Sequence, residues 1–147
     1  MQLTGKHTIP ATQKQIWDLM MDPEVLTRIT PGITHLEMIE TDSYKAIAEV
    51  KIGPVGGAFT GTLKVADKIE PHSFSLIVQQ NSRMGNASAV MAMSLTQVEI
   101  EMTEVSFAGE VKLSGMMATM GQRVIVPVAN MLSGQFFEAL KQEVSGS

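Results

Sequence analysis

The 147-residue chain predicts an α+β fold in which a curved antiparallel sheet of about seven strands wraps one long C-terminal helix. Three observations carry this. Apolar and polar residues alternate through most of residues 3–113, the period-2 pattern of half-buried strands. From about Met116 to Val144 the apolar spacing becomes helical. A sheet with one apolar face must bury it against something, and only this last helix is large enough.

Taken in order, Leu3, Gly5, His7 and Ile9 alternate with Thr4, Lys6 and Thr8, a first strand with one buried face that Pro10 ends. Thr12 followed by Gln15 is a capping-box pattern. It opens a short helix with Ile16, Leu19 and Met20 on one face and Trp17 as a structural anchor. Asp22-Pro23 reads as an N-cap with proline at the first helical position. The second short helix runs to about Ile29, and Thr30-Pro31-Gly32 turns the chain out of it. About six strands follow. Their inward sets are Leu36 and Met38; Tyr44, Ala46, Ala48, Val50 and Ile52; Phe59, Gly61, Leu63 and Val65; Phe74, Leu76, Val78 and Gln80; Ala89, Met91, Met93 and Leu95; and Val105, Phe107, Gly109, Val111 and Leu113. Short, turn-bounded spacings imply a meander, with Gly53-Pro54-Val55-Gly56-Gly57 as one tight connection at the mouth of the fold. In the terminal helix Met117, Gly121, Val124, Ile125, Val128, Met131, Leu132, Gln135 and Ala139 share the inward face, Val126 and Phe137 point away, and Pro127 costs a hydrogen bond or a kink.

Composition narrows the function. The net charge is -4, with Lys and Arg spread singly, so nucleic acid is not a partner. Without cysteine there is no disulfide framework or thiolate metal site, and a cytoplasmic setting is the expectation. Residues 1–6 are followed by no apolar h-region. Leu113 to Phe137 holds one ionic residue, Arg123, yet Gln122, Pro127, Asn130 and Gln135 argue against a membrane span. There is no repeat or linker, so residues 1–147 read as one domain.

No catalytic constellation is legible. His7, His35 and His72 fall on separate elements, which argues against a metal site. There is no Cys nucleophile and no Gly-x-Ser-x-Gly pattern. Glu49, Glu104 and Glu110 alternate outward, and the Gly53–Gly57 run lacks the Lys-Ser/Thr and helix of a phosphate cradle.

The inward face is unusually small: Gly5, Ala46, Ala48, Gly61, Ala89 and Gly109 stand where a tight core would take Val, Leu or Phe. Such positions signal strong curvature or space left for a guest. Twelve methionines, flexible and polarizable, suit a wall that adapts to an apolar molecule, and equally a Met-rich solid core. The candidate ligand-contacting set is His7 on the first strand. On the sheet it continues with Ala46, Ala48, Phe59, Gly61, Phe74, Leu76, Met91, Met93, Phe107 and Gly109. On the helix it holds Met117, Met120, Gly121, Val124, Val128, Met131 and Gln135. His7 is read first as a packed core histidine. Gln135 is the polar candidate inside, toward either a ligand carbonyl or the sheet backbone.

These motifs in this order resemble the carbon monoxide dehydrogenase CoxG family of the START-like SRPBCC superfamily. The matching stretches are Ile9-Pro10-Ala11 with Ile16-Trp17, Asp22-Pro23-Glu24-Val25-Leu26, Pro31-Gly32, Gly53-Pro54-Val55 with Phe59-Thr60-Gly61, and Gly121 with Gln135-Phe136-Phe137. The resemblance implies the helix-grip fold. It implies a non-enzymatic protein that binds a lipid- or quinone-like molecule, with no other cofactor. It also implies work beside a molybdenum-containing carbon monoxide dehydrogenase or related hydroxylase, with peripheral contact at the inner face of the membrane. One stretch departs from the family. Met84-Gly85-Asn86-Ala87-Ser88-Ala89-Val90-Met91 replaces a glycine-rich strand, where larger side chains would narrow or reshape a cavity.

Overall fold

In the computed structural model, which describes residues 1–146, the chain runs β1 (Gln2–Ile9), α1 (Gln13–Met20), α2 (Pro23–Ile29), β2 (Ile33–Glu40), β3 (Ser43–Ile52), β4 (Val55–Ile69), β5 (Ser73–Ser82), β6 (Gly85–Glu99), β7 (Met102–Leu113), α3 (Met116–Met120) and α4 (Gln122–Ser145). The seven strands form one sheet in the order β1-β7-β6-β5-β4-β3-β2. Every neighbouring pair is antiparallel. β2 to β7 form the expected meander. β1 returns to pair with β7, from Gln2 opposite Glu110 to Ile9 opposite Thr103.

Local chemistry places the two short helices between the edge strands β1 and β2. Thr12 caps α1 reciprocally: its Oγ1 accepts from the Gln15 amide at 3.2 Å, and its own amide donates to Gln15 Oε1 at 2.8 Å. Asp22 accepts from the Glu24 amide at 2.9 Å, with Pro23 opening α2. The buried Thr103 hydroxyl donates to the Ala11 carbonyl at 2.7 Å, pinning the α1 entry to β7. Trp17 meets Phe74 edge-on, ring centroids 5.6 Å apart.

Several expectations are corrected. The Gly53–Gly57 connection is a two-residue turn, because Ile52 already pairs with Val55 and the remaining residues begin β4. Met38 is 57% exposed, where the register of β2 shifts between Met38 and Glu40. The terminal helix is not continuous. It breaks at Gly121, whose φ of 76° and ψ of 174° belong to a region essentially restricted to glycine. Beyond the break, α4 buries Ile125, Val128, Phe137 and Leu140. Its inward face is therefore turned from the expected one by about one residue, roughly 100° of helix. Phe137, expected outside, is 3% exposed; Met131, expected inside, is 51% exposed. Pro127 lies on the exposed side of α4, where its missing N–H is least costly.

Three small inward residues make room for neighbouring strands rather than for the interior. A Cβ at Gly61 would collide with the Gln79 carbonyl, one at Gly109 with the Val90 carbonyl, and one at Gly5 with the Phe107 ring. Gly61 and Gly109 let adjacent strands close up as the sheet bends; Gly5 makes room for a ring.

Candidate functional site

Two apolar clusters lie on the inner side of the sheet. One joins α1, α2 and the end of α4 to the sheet through Ile16, Trp17, Leu26, Phe74, Val105 and Leu140. The other gathers Val55, Phe59, Met117, Ile125 and Val128. A cavity of about 490 Å³ takes its walls from both. Interiors are normally packed with few voids larger than a water, and this volume falls in the range of small-molecule sites, roughly 300–1,000 Å³.

Ten of the expected residues line it: Ala46, Ala48, Phe59, Phe74, Leu76, Met91, Met93, Phe107, Met117 and Val128. Eight do not. Gly61 and Gly109 face neighbouring backbone, as above. Met120 packs beside the second cluster, and Gly121 is the exposed break before α4. Val124 and Met131 fall outside the wall because α4 is turned. Gln135 is exposed and lies in a smaller, more polar depression of about 190 Å³ with Pro31, Glu49 and Lys51. His7 stands behind the wall. Its ring stacks on Phe137 with centroids 4.2 Å apart and planes 14° from parallel, and Phe137 in turn stacks on Phe107 at 6.0 Å. Burial, and secondarily the Lys141 ammonium, holds the His7 imidazole below its ordinary value.

The wall also includes residues outside the candidate ligand-contacting set. Ala129, Leu132, Ser133, Phe136 and Phe137 come from the turned face of α4, Met20 from the end of α1, and Leu26, Thr30 and Pro31 from α2 and the turn after it. Ala87 and Met91, in the stretch that departs from the family pattern, both project into the space. Among the described residues no ionisable side chain lines the cavity; Thr30, Gln80 and Ser133 supply its polar side chains. Gln80 had a legible signal, as a polar residue completing the inward register of Phe74, Leu76 and Val78.

The chemistry of such a wall is solvation of hydrocarbon. Proton transfer needs a positioned acid or base, and none faces the space. Among the described residues, no three His, Asp or Glu side chains gather as a metal site, and no helix is long and apolar enough to cross a membrane.

Comparison with known proteins places this geometry. The sequence profile of the carbon monoxide dehydrogenase CoxG family matches residues 5–145. The chain belongs to the CoxG family. Among solved structures, a conserved protein from Geobacillus kaustophilus is similar with a TM-score of 0.97 at 28% identity, covering 100% of this chain and 97% of that one. A START superfamily protein from Mycobacterium smegmatis gives 0.79 at 11% identity, covering 99% and 97%. A protein from Thermus thermophilus gives 0.76 at 13%, covering 99% and 98%. The latter two show the fold alone, and that fold is START-like. Curated proteins give no match. CoxG membership and the sheet that grips α4 thus agree with the reading from sequence.

Proposed function

We propose that this CoxG family protein is a non-enzymatic carrier that holds a hydrophobic small molecule, lipid- or quinone-like, in the cavity between sheet and α4. The observation that carries the reading is the apolar space of about 490 Å³. Apolar wall left facing water forgoes about 25 cal/mol per Å². A guest recovers part of that. Native mass spectrometry of protein purified from its own host, with solvent-extracted molecules identified, tests it. A bound apolar molecule and a thermal shift with added quinones or fatty acids are expected. Repeated absence of both overturns the reading.

Association with a molybdenum-type carbon monoxide dehydrogenase is the second part of the proposal, and it has its own support. The turns after β2, β4 and β6 lie at one end of the antiparallel sheet, and they carry exposed Ile39, Ile69, Val98 and Ile100, the last 90% exposed. Isolated surface hydrophobes are ordinary; several at one end mark a contact. Glu40, Glu70, Glu99 and Glu101 stand among them, and that charge favours a protein with a basic rim over an anionic lipid surface. Co-purification with such an enzyme, lost in an Ile69→Glu/Ile100→Glu variant that still folds, supports this. Retention by the double variant removes these turns from the interface.

A further inference from the structure

We infer that the small polar depression beside the cavity is a head-group site. The molecule it serves is an amphiphile, with its alkyl chain in the cavity and an uncharged polar head at the seam between β3 and α4. The inference rests on the cavity being a ligand site and goes on to name the class of molecule that site takes. The depression, of about 190 Å³, lies where Pro31 and Gly32 meet the end of β3 and the middle of α4. Pro31, Val50 and Leu132 line both hollows. The two therefore share a wall one layer of side chains thick, with hydrocarbon space on one side and polar groups on the other.

The outer side carries Glu49, Lys51 and Gln135, all exposed. Among the described residues none of these three side chains makes a hydrogen bond or an ion pair. The main chain adds a donor. The Glu49 amide donates to the Gly32 carbonyl at 2.9 Å. Along an antiparallel strand the groups facing one edge recur every second residue, so the Lys51 amide faces this edge too. β2 starts only at Ile33, opposite Ala48, and no strand lies beside Lys51 on that side.

Charge decides what kind of head fits. Glu49 and Lys51 stand two residues apart on the same face of β3, and their charges cancel. An anionic head gains Lys51 but meets Glu49; a cationic head does the reverse. An uncharged head is repelled by neither. It accepts from Lys51 and exchanges hydrogen bonds with Gln135, whose amide offers both a donor and an acceptor whichever way it is turned. Neutral heads built on a carboxamide, a hydroxyl or a ring carbonyl share that chemistry.

Two photoreactive dodecanamides test the placement, one with a diazirine at carbon 2 beside the amide and one with it at carbon 11. Each is bound to delipidated full-length protein, irradiated and mapped by peptide mass spectrometry. The carbon-2 probe is expected to label residues 31–32, 49–52 and 132–135, and the carbon-11 probe the interior around Phe74, Met93 and Phe107. Charge is tested by displacing an apolar fluorescent dye with dodecanamide, dodecanoate and dodecylammonium. The wild type is expected to bind the amide most tightly and the two ions within about threefold of each other. Lys51→Glu is expected to move the ratio of the two ions about tenfold toward the ammonium, and Glu49→Lys about tenfold toward the carboxylate, since each change turns an exposed attraction into a repulsion for one ion and the reverse for the other. Carbon-2 labelling confined to the interior, a wild type that prefers an ion to the amide, or an ion ratio that ignores both substitutions overturns the head-group site and leaves the cavity reading standing. No labelling by either probe, with no dye bound, overturns both.

Discussion

Replacing Ala48 by leucine separates a hollow interior from a solid one by the sign of a stability change. Ala48 lies on β3 opposite Phe59 of β4 and Ile33 of β2, and its methyl faces the cavity. Leucine adds three carbons; at about 0.8 kcal/mol per buried methylene they contribute roughly 2.4 kcal/mol. Ordering the longer side chain takes back about 0.5–1 kcal/mol. The net is roughly 1.5 kcal/mol of stabilisation, or about 3–6 °C in Tm for a chain of this length. In a filled core the same change overpacks and costs about 1–3 kcal/mol. Thermal unfolding of unliganded protein followed by circular dichroism decides between them. A higher Tm together with weaker dye binding is the expected result. A Tm that falls by several degrees refutes the cavity and the reasoning built on it.

Gly61 is small for the opposite reason, so Gly61→Ala is expected to destabilise by about 3 kcal/mol or more, since its Cβ meets the Gln79 backbone and neither can yield; chemical denaturation measures this. The phase of α4 is tested by a pair: Phe137→Ala is expected to cost about 3–5 kcal/mol as a buried ring is lost, and Met131→Ala less than about 0.5 kcal/mol. The reverse order, with Met131→Ala the costlier, would mean that α4 is turned as the periodicity suggested. His7 gives a pH dependence. Its folded-state pKa lies below the ordinary value of 6.5, so the unfolded chain takes up a proton first as pH falls. Its contribution is present above about pH 6.5 and declines as pH drops toward the folded pKa. His7→Phe should flatten the Tm profile over that window while keeping the stack on Phe137.

Much of the fold was legible because its signals are local. A strand with one buried face alternates residue by residue, and Thr12, Gln15, Asp22 and Pro23 mark helix starts through bonds to their own neighbours. The sheet half of the wall followed from the same alternation, since knowing one inward residue on a strand gives the rest. The helical half did not follow. Val124 to Val128 are apolar nearly all round, so they fix no phase. Carrying Met117 through Gly121 into the same helix imposed a wrong one. Side by side, Phe136 and Phe137 gave no hint that both reach the cavity.

The sequence by itself determined the strands and the two short helices, their order, the inward set of the strands apart from Met38, and the family. Which glycines are small for curvature and which alanines are small for space was left to the tertiary structure, because the atom that excludes a Cβ belongs to another strand. The same holds for the rotation of α4 and for the choice of Gln80 over Gln135 as the polar group in the wall. Each depends on what stands across the interior, and that is known only when the sheet has closed on its helix.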